Sequence, residues 1–368
     1  MHKDISRRIW ALTICIMAIG LVALYSATFQ NSRAAQDLFY DQLGAVGIGL
    51  VIMFFFSRVD YRKYYDAAYI FYLLNILLLV VVLVGGRHAQ GARRWLEIGM
   101  LNFQPSELAK FSLILILSRY LSSRKATFHF SFLSSSQEFF RDVGVPFIFT
   151  SVLMVFIFKQ PDLGTALLMF GIFVILLFAG GIRIQYVLWF LAFCLCLVPW
   201  AWHLLADYQK NRLLVFLNPN IDPLGAGYTI IQSKIAVGSG QIFGKGWLSG
   251  TQNQLNFLPE RHTDFIFSVI GEEWGLLGAA VLIFCYFMLI HNGLRVAEQL
   301  KDRFGVLMVV GIVGILTLQV VINIGMVIGL LPVVGLTLPM VSYGRTSLLT
   351  FVIMIGVLLN IVRKGRAA

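Results

Sequence analysis

Ionisable side chains crowd the stretch Phe257–Glu273, FLPERHTDFIFSVIGEE, where a polar loop runs into a long apolar segment. Asp264 lies at that boundary, because the apolar run after it exceeds the roughly 20 residues that cross a bilayer. A carboxylate here can cap the helix start by accepting hydrogen bonds from free N–H groups. It can also do chemistry at the membrane surface on a charged, partly lipidic substrate.

The surroundings of Asp264 favour chemistry over capping alone. Two more acids, Glu272 and Glu273, follow roughly 12–14 Å further along the helix axis. Carboxylates that far inside a spanning helix are costly and usually face a cavity. Three further ionisable residues lie two to four positions before the aspartate: Glu260, Arg261 and His262.

Two other places carry acids within or beside apolar segments. Glu107 and Lys110, shortly after Pro105, are three residues apart and share one face of a predicted helix. They either neutralise each other or serve a substrate, and the sequence favours neither interpretation. Asp162, in the short turn KQPDLGT, is predicted to cap the next helix on the same side of the membrane as Asp264.

The segment 206–263 is the one long loop that we predict, and loops of that length are usually functional or disordered. Its part YTIIQSKIAVGS has apolar residues at helical spacing around Lys234, which predicts a short amphipathic helix on the membrane surface. Several glycines then surround Lys245. Such a loop can bind phosphate oxygens through its N–H groups, but its spacing matches no established phosphate motif, and a tight turn explains it as well.

The elements that position these residues follow from the composition. Of the 368 residues, 58% are hydrophobic and 13% are charged, which excludes a soluble domain. The net charge of +11 is scattered between apolar segments, so it fits anionic lipid head groups better than nucleic acid. The four cysteines all lie in apolar segments and indicate neither a disulfide framework nor a zinc site.

We therefore predict an all-α integral membrane protein, with a single polytopic domain over 1–368 and ten transmembrane helices. The predicted helices lie at about 9–29, 41–57, 66–86, 105–122, 143–159, 164–181, 186–205, 264–290, 304–331 and 340–362. Lysine and arginine are more frequent in the tails and even-numbered loops. This bias predicts cytoplasmic termini and an extracytoplasmic 206–263 loop between helices seven and eight. Either a transporter or an enzyme fits this description.

Five motifs follow one another along nearly the whole chain: GARRWLEIGMLNFQPSELAK, KQPDLGTAL, DPLGAGYTIIQSKIAVGSG, GKGWLSGTQNQLNFLPERHTDFIFSVIGEEWGLLG and GLTLPMVSYG. Together they resemble the SEDS family (shape, elongation, division and sporulation), and its cell-elongation branch more than its division branch. The resemblance implies a peptidoglycan glycosyltransferase that polymerises lipid II on the outer side of the bacterial cytoplasmic membrane.

The resemblance also implies roles for single residues. Asp264 matches the essential aspartate and is the candidate general base, with undecaprenyl pyrophosphate as leaving group and inversion at the anomeric carbon. Glu107 and Lys110 match the buried acid–lysine pair. The remaining candidates for binding substrate or shaping the cavity are Arg94, Asp162, Lys234, Lys245, Arg261, His262 and Ser342. A divalent cation, Mg²⁺ or Mn²⁺, is the expected cofactor, and we expect no organic one.

The implied partner is a class B penicillin-binding protein, the transpeptidase of the elongation machinery. A lipid II flippase, which needs no base, and a non-catalytic membrane scaffold remain alternatives.

The sequence departs from the family pattern at Gln241, usually glycine, and at Arg345 and Thr346, usually Gly-Ser. Arg345 adds bulk and charge near a helix start, where it needs a partner or a wet cavity unless it reaches the surface.

Overall fold

The computed structural model describes residues 2–29, 33–89, 92–98, 101–124, 136–205, 207–223 and 225–365. Ten helices in this part of the chain are long: α1 (His2–Thr28), α2 (Arg33–Arg58), α3 (Arg62–Gly85), α4 (Pro105–Ser122), α6 (Val145–Lys159), α7 (Leu163–Ala179), α8 (Ile184–Leu204), α12 (Ile266–Gln299), α13 (Arg303–Val327) and α14 (Arg345–Lys364). The shorter helices are α5 (Ser136–Phe139), α9 (Asp207–Leu217), α10 (Ala226–Ser239) and α11 (Thr251–Gln254). A π-helical turn, Phe140–Gly144, joins α5 to α6, and Pro219–Ile221 forms a 3₁₀ turn.

The long helices correspond one to one to the ten predicted segments, so the all-α membrane architecture is confirmed. Among the described residues, seven helical stretches are long and apolar enough to cross a membrane, and Leu163–Ala179 and Ile184–Leu197 are shorter apolar helices. The remaining long helix, α4, contains three charged residues, Glu107, Lys110 and Arg119, among its 18 residues. The chain is a multi-pass membrane protein.

The centre of the fold consists of α4, α13 and α14, whose residues are buried along most of their length. Helix α14 packs against α1, α2, α4 and α13, and α13 also contacts α7, α10 and α12. Burial favours hydrogen bonding of polar groups, and several of those in this centre have partners. The amide of Asn360, for example, accepts from the main chain of Tyr61 and donates to that of Ser57, both at 3.0 Å.

The segment 206–263, which we predict to be a long loop with one short helix, contains three helices, α9, α10 and α11. The helix predicted at YTIIQSKIAVGS is confirmed within α10, and its position on the membrane surface stays a prediction. Helix α10 packs on α12 and α13 through Ser233, whose hydroxyl lies 2.8 Å from that of Ser268 and 2.6 Å from the carbonyl of Val327. Packing against two spanning helices explains why this segment is ordered.

The segment 87–104 also has structure that the sequence did not reveal. Strands β1 (Arg87–Ala89), β2 (Ala92–Ile98) and β3 (Leu101–Phe103) form a small antiparallel sheet in the order β1-β2-β3. Arg87 pairs with Trp95, and Leu96 pairs with Phe103. The sheet leads directly into α4, whose first residue is Pro105 as predicted.

Helix α12 is interrupted at Gly275, whose backbone angles (φ 65°, ψ −161°) are not helical. The loop after α10 fills the break, since the N–H groups of Lys245 and Gly246 donate to the carbonyls of residues 272 and 273, each at 3.0 Å. Gln241 in this loop has a φ of +50°, in the left-handed region. Glycine adopts that conformation most readily, which explains the usual glycine of the family here.

Glu272 and Glu273 are buried, but they face this loop and not the cavity described below, which corrects our prediction. The Glu272 carboxylate accepts from Lys245 Nζ at 2.9 Å and from the N–H groups of residues 252 and 253. The Glu273 carboxylate accepts from Ser26 and Asn253. These donors offset the cost of burying the two acids. The pair therefore attaches the 245–253 loop to α12 and α1.

Candidate functional site

A cavity of about 760 Å³ opens at one end of the helix bundle, and Asp264 lies in its wall. The other walls come from the sheet, the start of α4, the turn before α7, α9, the 332–337 loop and the start of α14. Segments far apart in the chain thus meet around one aspartate. The polar cavity predicted around the 257–273 stretch is present.

Asp264 does not cap a helix. Helix α12 begins two residues later, at Ile266, and no side-chain hydrogen bond caps it. Burial away from water is the main cause that raises the pKa of Asp264, and the negative charge of Glu260 is the second. Together they raise this pKa to about 7. The nearby cations Arg212 and Arg94 act in the opposite direction. The carboxyl is therefore a much stronger proton acceptor than an ordinary aspartate.

Main-chain contacts hold Asp264 in place. Its carbonyl accepts from the amide of Asn323 at 2.9 Å, and its N–H donates to the carbonyl of Glu260 at 3.1 Å. The predicted site residue Ser342 is outside the cavity lining, and its hydroxyl donates to the carbonyl of Thr263 at 2.5 Å. Ser342 therefore fixes the chain next to Asp264.

His262 lines the cavity, and its ring lies 6.0 Å from that of Tyr343. The N–H of Tyr343 donates to the carbonyl of His262 at 2.8 Å. Burial lowers the pKa of His262 below its usual 6.5. The imidazole is therefore neutral at pH 7 and adds no cation to the site.

Arg94 and Asp162 also line the cavity. The Arg94 guanidinium donates to the carbonyls of Gln160, at 2.8 Å, and Pro161. It thereby holds the turn in which Asp162 caps α7, as predicted, by accepting from the N–H of Thr165 at 3.1 Å. The arginine and the aspartate are thus kept in one rigid turn.

Glu107 and Lys110 form the expected ion pair, with 2.7 Å between Oε2 and Nζ. Glu107 lines the cavity, whereas Lys110 is fully buried behind it and also donates to Gln319 at 3.0 Å. Only the acid can touch a ligand in the cavity. The buried Lys110 compensates the negative charge of Glu107.

Three candidate cations lie away from the cavity lining. Lys245 binds Glu272, and Lys234 is exposed and lies across Gly329. Arg261 donates to the carbonyl of Ala27 in α1 at 3.0 Å. The cations of the cavity wall are therefore different ones.

Sequence reasoning missed α9, whose Gln209, Arg212 and Leu213 line the cavity. Arg212 is within 3.5 Å of the carbonyl of Val333 on the facing loop. Gln209, Arg212 and Leu213 have the i, i+3, i+4 spacing of one helical face. That spacing is the available signal, but in this segment we predict a helix only around Lys234.

Arg345, the main departure from the family pattern, lines the cavity and pairs with Asp41 of α2 at 3.3 Å. It therefore has both the partner and the cavity that its position requires. The hydroxyl of Thr346 donates to the carbonyl of Asn102 and accepts from the N–H of Gln104, at 3.1 and 3.2 Å. The serine usual at this position also has a hydroxyl, so threonine retains the contact between α14 and the sheet.

The described residues contain no group of three or more histidine, cysteine or acidic side chains able to hold a metal ion. Mg²⁺ bound to a phosphate-bearing substrate needs only one or two protein carboxylates. Asp264 and Asp162 line the same cavity and act on each other electrostatically. The donor set therefore fits a substrate-borne cation and not a dedicated protein cage.

Comparison with known proteins identifies the family. The family model for FtsW, RodA and SpoVE, described as cell cycle protein, matches residues 6–367. The chain is 40% identical over 354 residues to the peptidoglycan glycosyltransferase MrdB of Escherichia coli (strain K12), covering 95% of this chain and 92% of that protein. It is 36% identical over 365 residues to the stage V sporulation protein E of Bacillus subtilis (strain 168), covering 96% of each.

Solved structures agree with these matches. A peptidoglycan synthase complex that coordinates polymerisation and crosslinking contains a chain that is 33% identical, with a TM-score of 0.81 over 98% of both chains. The rod shape determining protein RodA of Thermus thermophilus is 29% identical, with a TM-score of 0.70 over 97% of this chain and 96% of that one. The chain therefore belongs to the FtsW/RodA/SpoVE family of cell cycle proteins, the SEDS family to which its motifs pointed.

Proposed function

We propose that the cavity is the site at which this peptidoglycan glycosyltransferase joins lipid II into glycan strands, with Asp264 as the general base. The observation that carries this proposal is a carboxyl group in a cavity wall whose pKa is raised to about 7. A general base works best when its pKa is near the working pH. A membrane scaffold or a flippase has no need of such a group.

In this reaction a sugar hydroxyl of the acceptor lipid II attacks the anomeric carbon of the donor chain. A new C–O bond forms, the bond from the anomeric carbon to undecaprenyl pyrophosphate breaks, and the hydroxyl proton passes to Asp264. Direct displacement inverts the anomeric centre. The proton then returns to water when the product moves away.

The departing pyrophosphate carries the charge that the site must stabilise. Arg94 and Arg212, whose charges already act on Asp264, are the cavity cations that we assign to it. If a divalent cation accompanies the substrate, Asp162 would hold it, and Asp264 would remain available to accept the proton. Such a cation would stabilise the negative charge of the leaving group. Glu107 shapes the floor of the cavity.

The partner that we propose is a class B penicillin-binding protein, since a structural relative belongs to a synthase complex that couples polymerisation to crosslinking.

We further propose that the cavity faces the extracytoplasmic side. The distribution of lysine and arginine along the chain supports this orientation. Lipid II that has reached the outer leaflet would then enter the cavity from the membrane.

The test is glycan polymerisation from purified lipid II, with the transpeptidase partner and Mg²⁺ or Mn²⁺ present. The parent chain is compared with Asp264→Asn, and with Asp60→Asn as a matched control, since Asp60 pairs with Lys364 at the opposite end of the bundle. We expect long glycan from the parent and the control, and none from a folded Asp264→Asn variant. No polymer from the parent, or retention of the anomeric configuration, would contradict the proposal.

A further inference from the structure

The turn before α14, residues 338–344, is hydrogen-bonded to the segment that carries the proposed base. The hydroxyl of Ser342 donates to the carbonyl of Thr263 at 2.5 Å. The N–H of Tyr343 donates to the carbonyl of His262 at 2.8 Å. These two carbonyls belong to the two residues that directly precede the proposed base. A displacement of the turn would therefore displace the main chain beside that base.

Gln42, near the start of α2, binds the same turn with both ends of its side-chain amide. The side chain is buried, with 2% of its surface exposed. Its Nε2 donates to the carbonyl of Ser342, and its Oε1 accepts from the N–H of Gly344, each at 3.2 Å. Moving the turn away from α2 would leave buried polar groups without these partners, which is costly. The amide therefore fixes the main chain on either side of Tyr343.

Spanning helices support the turn at more than one point. Helix α2 packs along α14, and Asp41, the neighbour of Gln42, pairs with Arg345 at 3.3 Å. Helix α1 approaches the turn at Gly20, where a Cβ atom would lie 2.6 Å from the Cα of Val341. The turn is therefore packed against two helices, and Gln42 is hydrogen-bonded to its main chain from one of them.

Gln42 can influence the proposed base only at a distance. Among the described residues, the cavity lining includes His262, Thr263 and Asp264 but not Gln42. The contacts run from the Gln42 amide to the turn, and from the turn to the carbonyls beside the base. Because a small misplacement of a reacting group costs a large factor in rate, loss of the first contact should reduce catalysis without removing a substrate contact.

We propose that Gln42 is a positioning residue for the general base: its amide holds the 338–344 turn, and the turn holds the main chain that presents Asp264. This inference rests on the proposed function of Asp264. It assigns to α2 a part in the reaction that no contact with lipid II requires. The inference depends on geometry alone, since Gln42 carries no charge.

The test is the steady-state kinetics of lipid II polymerisation, expressed per folded protein, for the parent and Gln42→Leu. Leucine is close to glutamine in size but forms neither hydrogen bond. We expect kcat to fall about five- to twentyfold and KM to stay within about twofold of the parent. Gln42→Asn is one methylene shorter and cannot span both main-chain groups, so it should show the same pattern and serves if the leucine variant is unstable.

Asn360→Leu is the matched control for a loss of stability. The buried Asn360 amide also joins two main-chain groups, those of Tyr61 and Ser57, but at the other end of α14. This variant should lower the Tm by a similar amount and keep the parental kcat per folded protein. An equal loss of kcat in this control would show that Gln42 acts through general stability, and would overturn the inference.

The double variant Gln42→Leu/Ser342→Ala tests whether the effect passes through the turn. If it does, the additional loss of kcat caused by Gln42→Leu should be at least about twofold smaller once the Ser342 hydroxyl is absent. Losses that multiply, or a parental kcat in a folded Gln42→Leu or Gln42→Asn variant, overturn the inference and leave the role of Asp264 intact. Polymerisation by Asp264→Asn overturns the proposed function itself, independently of Gln42.

Discussion

The side-chain amide of Asn323, in α13, donates a hydrogen bond to the main-chain carbonyl of Asp264 at 2.9 Å. The same amide donates to the carbonyl of Leu336 at 2.6 Å. Asn323 is fully buried, so one side chain in the centre of the bundle joins two loops that form adjacent parts of the cavity wall. The position of Asp264, the base that we propose, thus depends on a spanning helix.

Replacing Asn323 by alanine should reduce polymerisation at least tenfold, because small displacements of a reacting group are costly. Two carbonyls would lose their donor, at a cost of about 1–3 kcal/mol for each group left unsatisfied. The measurement is turnover of lipid II alongside thermal unfolding in detergent. Asn292→Ala is the matched control, since within the described part of the chain that buried amide donates to the carbonyl of Met288 in its own helix. A parental rate for Asn323→Ala would contradict this assignment.

The rate of polymerisation should depend on pH through Asp264. Its pKa is about 7, so below that pH the protonated carboxyl cannot accept the proton of the acceptor. We expect kcat/KM to fall about tenfold per unit as the pH drops below 7, and to level off above it. Initial rates between pH 5.5 and 8.5, at a fixed concentration of divalent cation, measure the profile. A rate that is constant over this range would exclude Asp264 as the base.

The raised pKa of Asp264 also predicts that ionisation of its carboxyl destabilises the folded protein. The protonated carboxyl is favoured in the folded protein, so its stabilising contribution is complete below the unfolded pKa of about 3.8 and is lost as the pH rises through about 7. Asp264→Asn cannot ionise and should therefore gain stability relative to the parent between pH 4 and pH 8. Thermal unfolding at these two pH values measures the difference. An equal Tm difference at both would contradict the prediction.

Removing one member of the Glu107–Lys110 pair should destabilise the protein strongly. Both side chains are buried, and an uncompensated buried charge costs about 3–5 kcal/mol. We expect Glu107→Gln and Lys110→Met each to lower the Tm, and the double variant to recover most of the loss. Turnover should recover less, because only Glu107 lines the cavity. A double variant as unstable as the sum of the single ones would argue against the pairing.

Arg345 should contribute to substrate binding more than to folding. Its partner Asp41 is about half exposed, and such pairs contribute only about 0–1 kcal/mol. In Arg345→Gly, which restores the usual family residue, we expect an almost unchanged Tm and a KM for lipid II that is roughly three- to tenfold higher. Arg345→Lys keeps the charge and should lie between the two. A lower KM for the glycine variant would show that the arginine obstructs the cavity.

The sequence was sufficient to predict the spanning helices, the Glu107–Lys110 pair and the cap at Asp162, because each of these depends on local spacing or on long apolar runs. It placed Asp264 at the edge of a cavity for a similar reason, since a polar loop meets a span there. It failed for Glu272 and Glu273, whose partners Lys245 and Ser26 are brought to them by the fold.

The cations of the cavity were harder to predict than its acids. A long side chain in a loop can point in any direction, and the direction is set by contacts with distant residues. Arg261 turns to α1 through the carbonyl of Ala27, although it is only three residues from Asp264. Arg212 reaches the cavity because α9 is helical, and the helical spacing in that segment was too short to stand out within the loop.

The start of α14 supplies Arg345, Thr346 and Ser347 to the cavity wall. This helix is the last one that the structure describes, and it packs in the centre of the bundle against α2 and α1. During synthesis the earlier helices enter the membrane before it. The wall is therefore incomplete until α14 has been inserted, and a ribosome-bound chain that lacks this helix has no finished cavity.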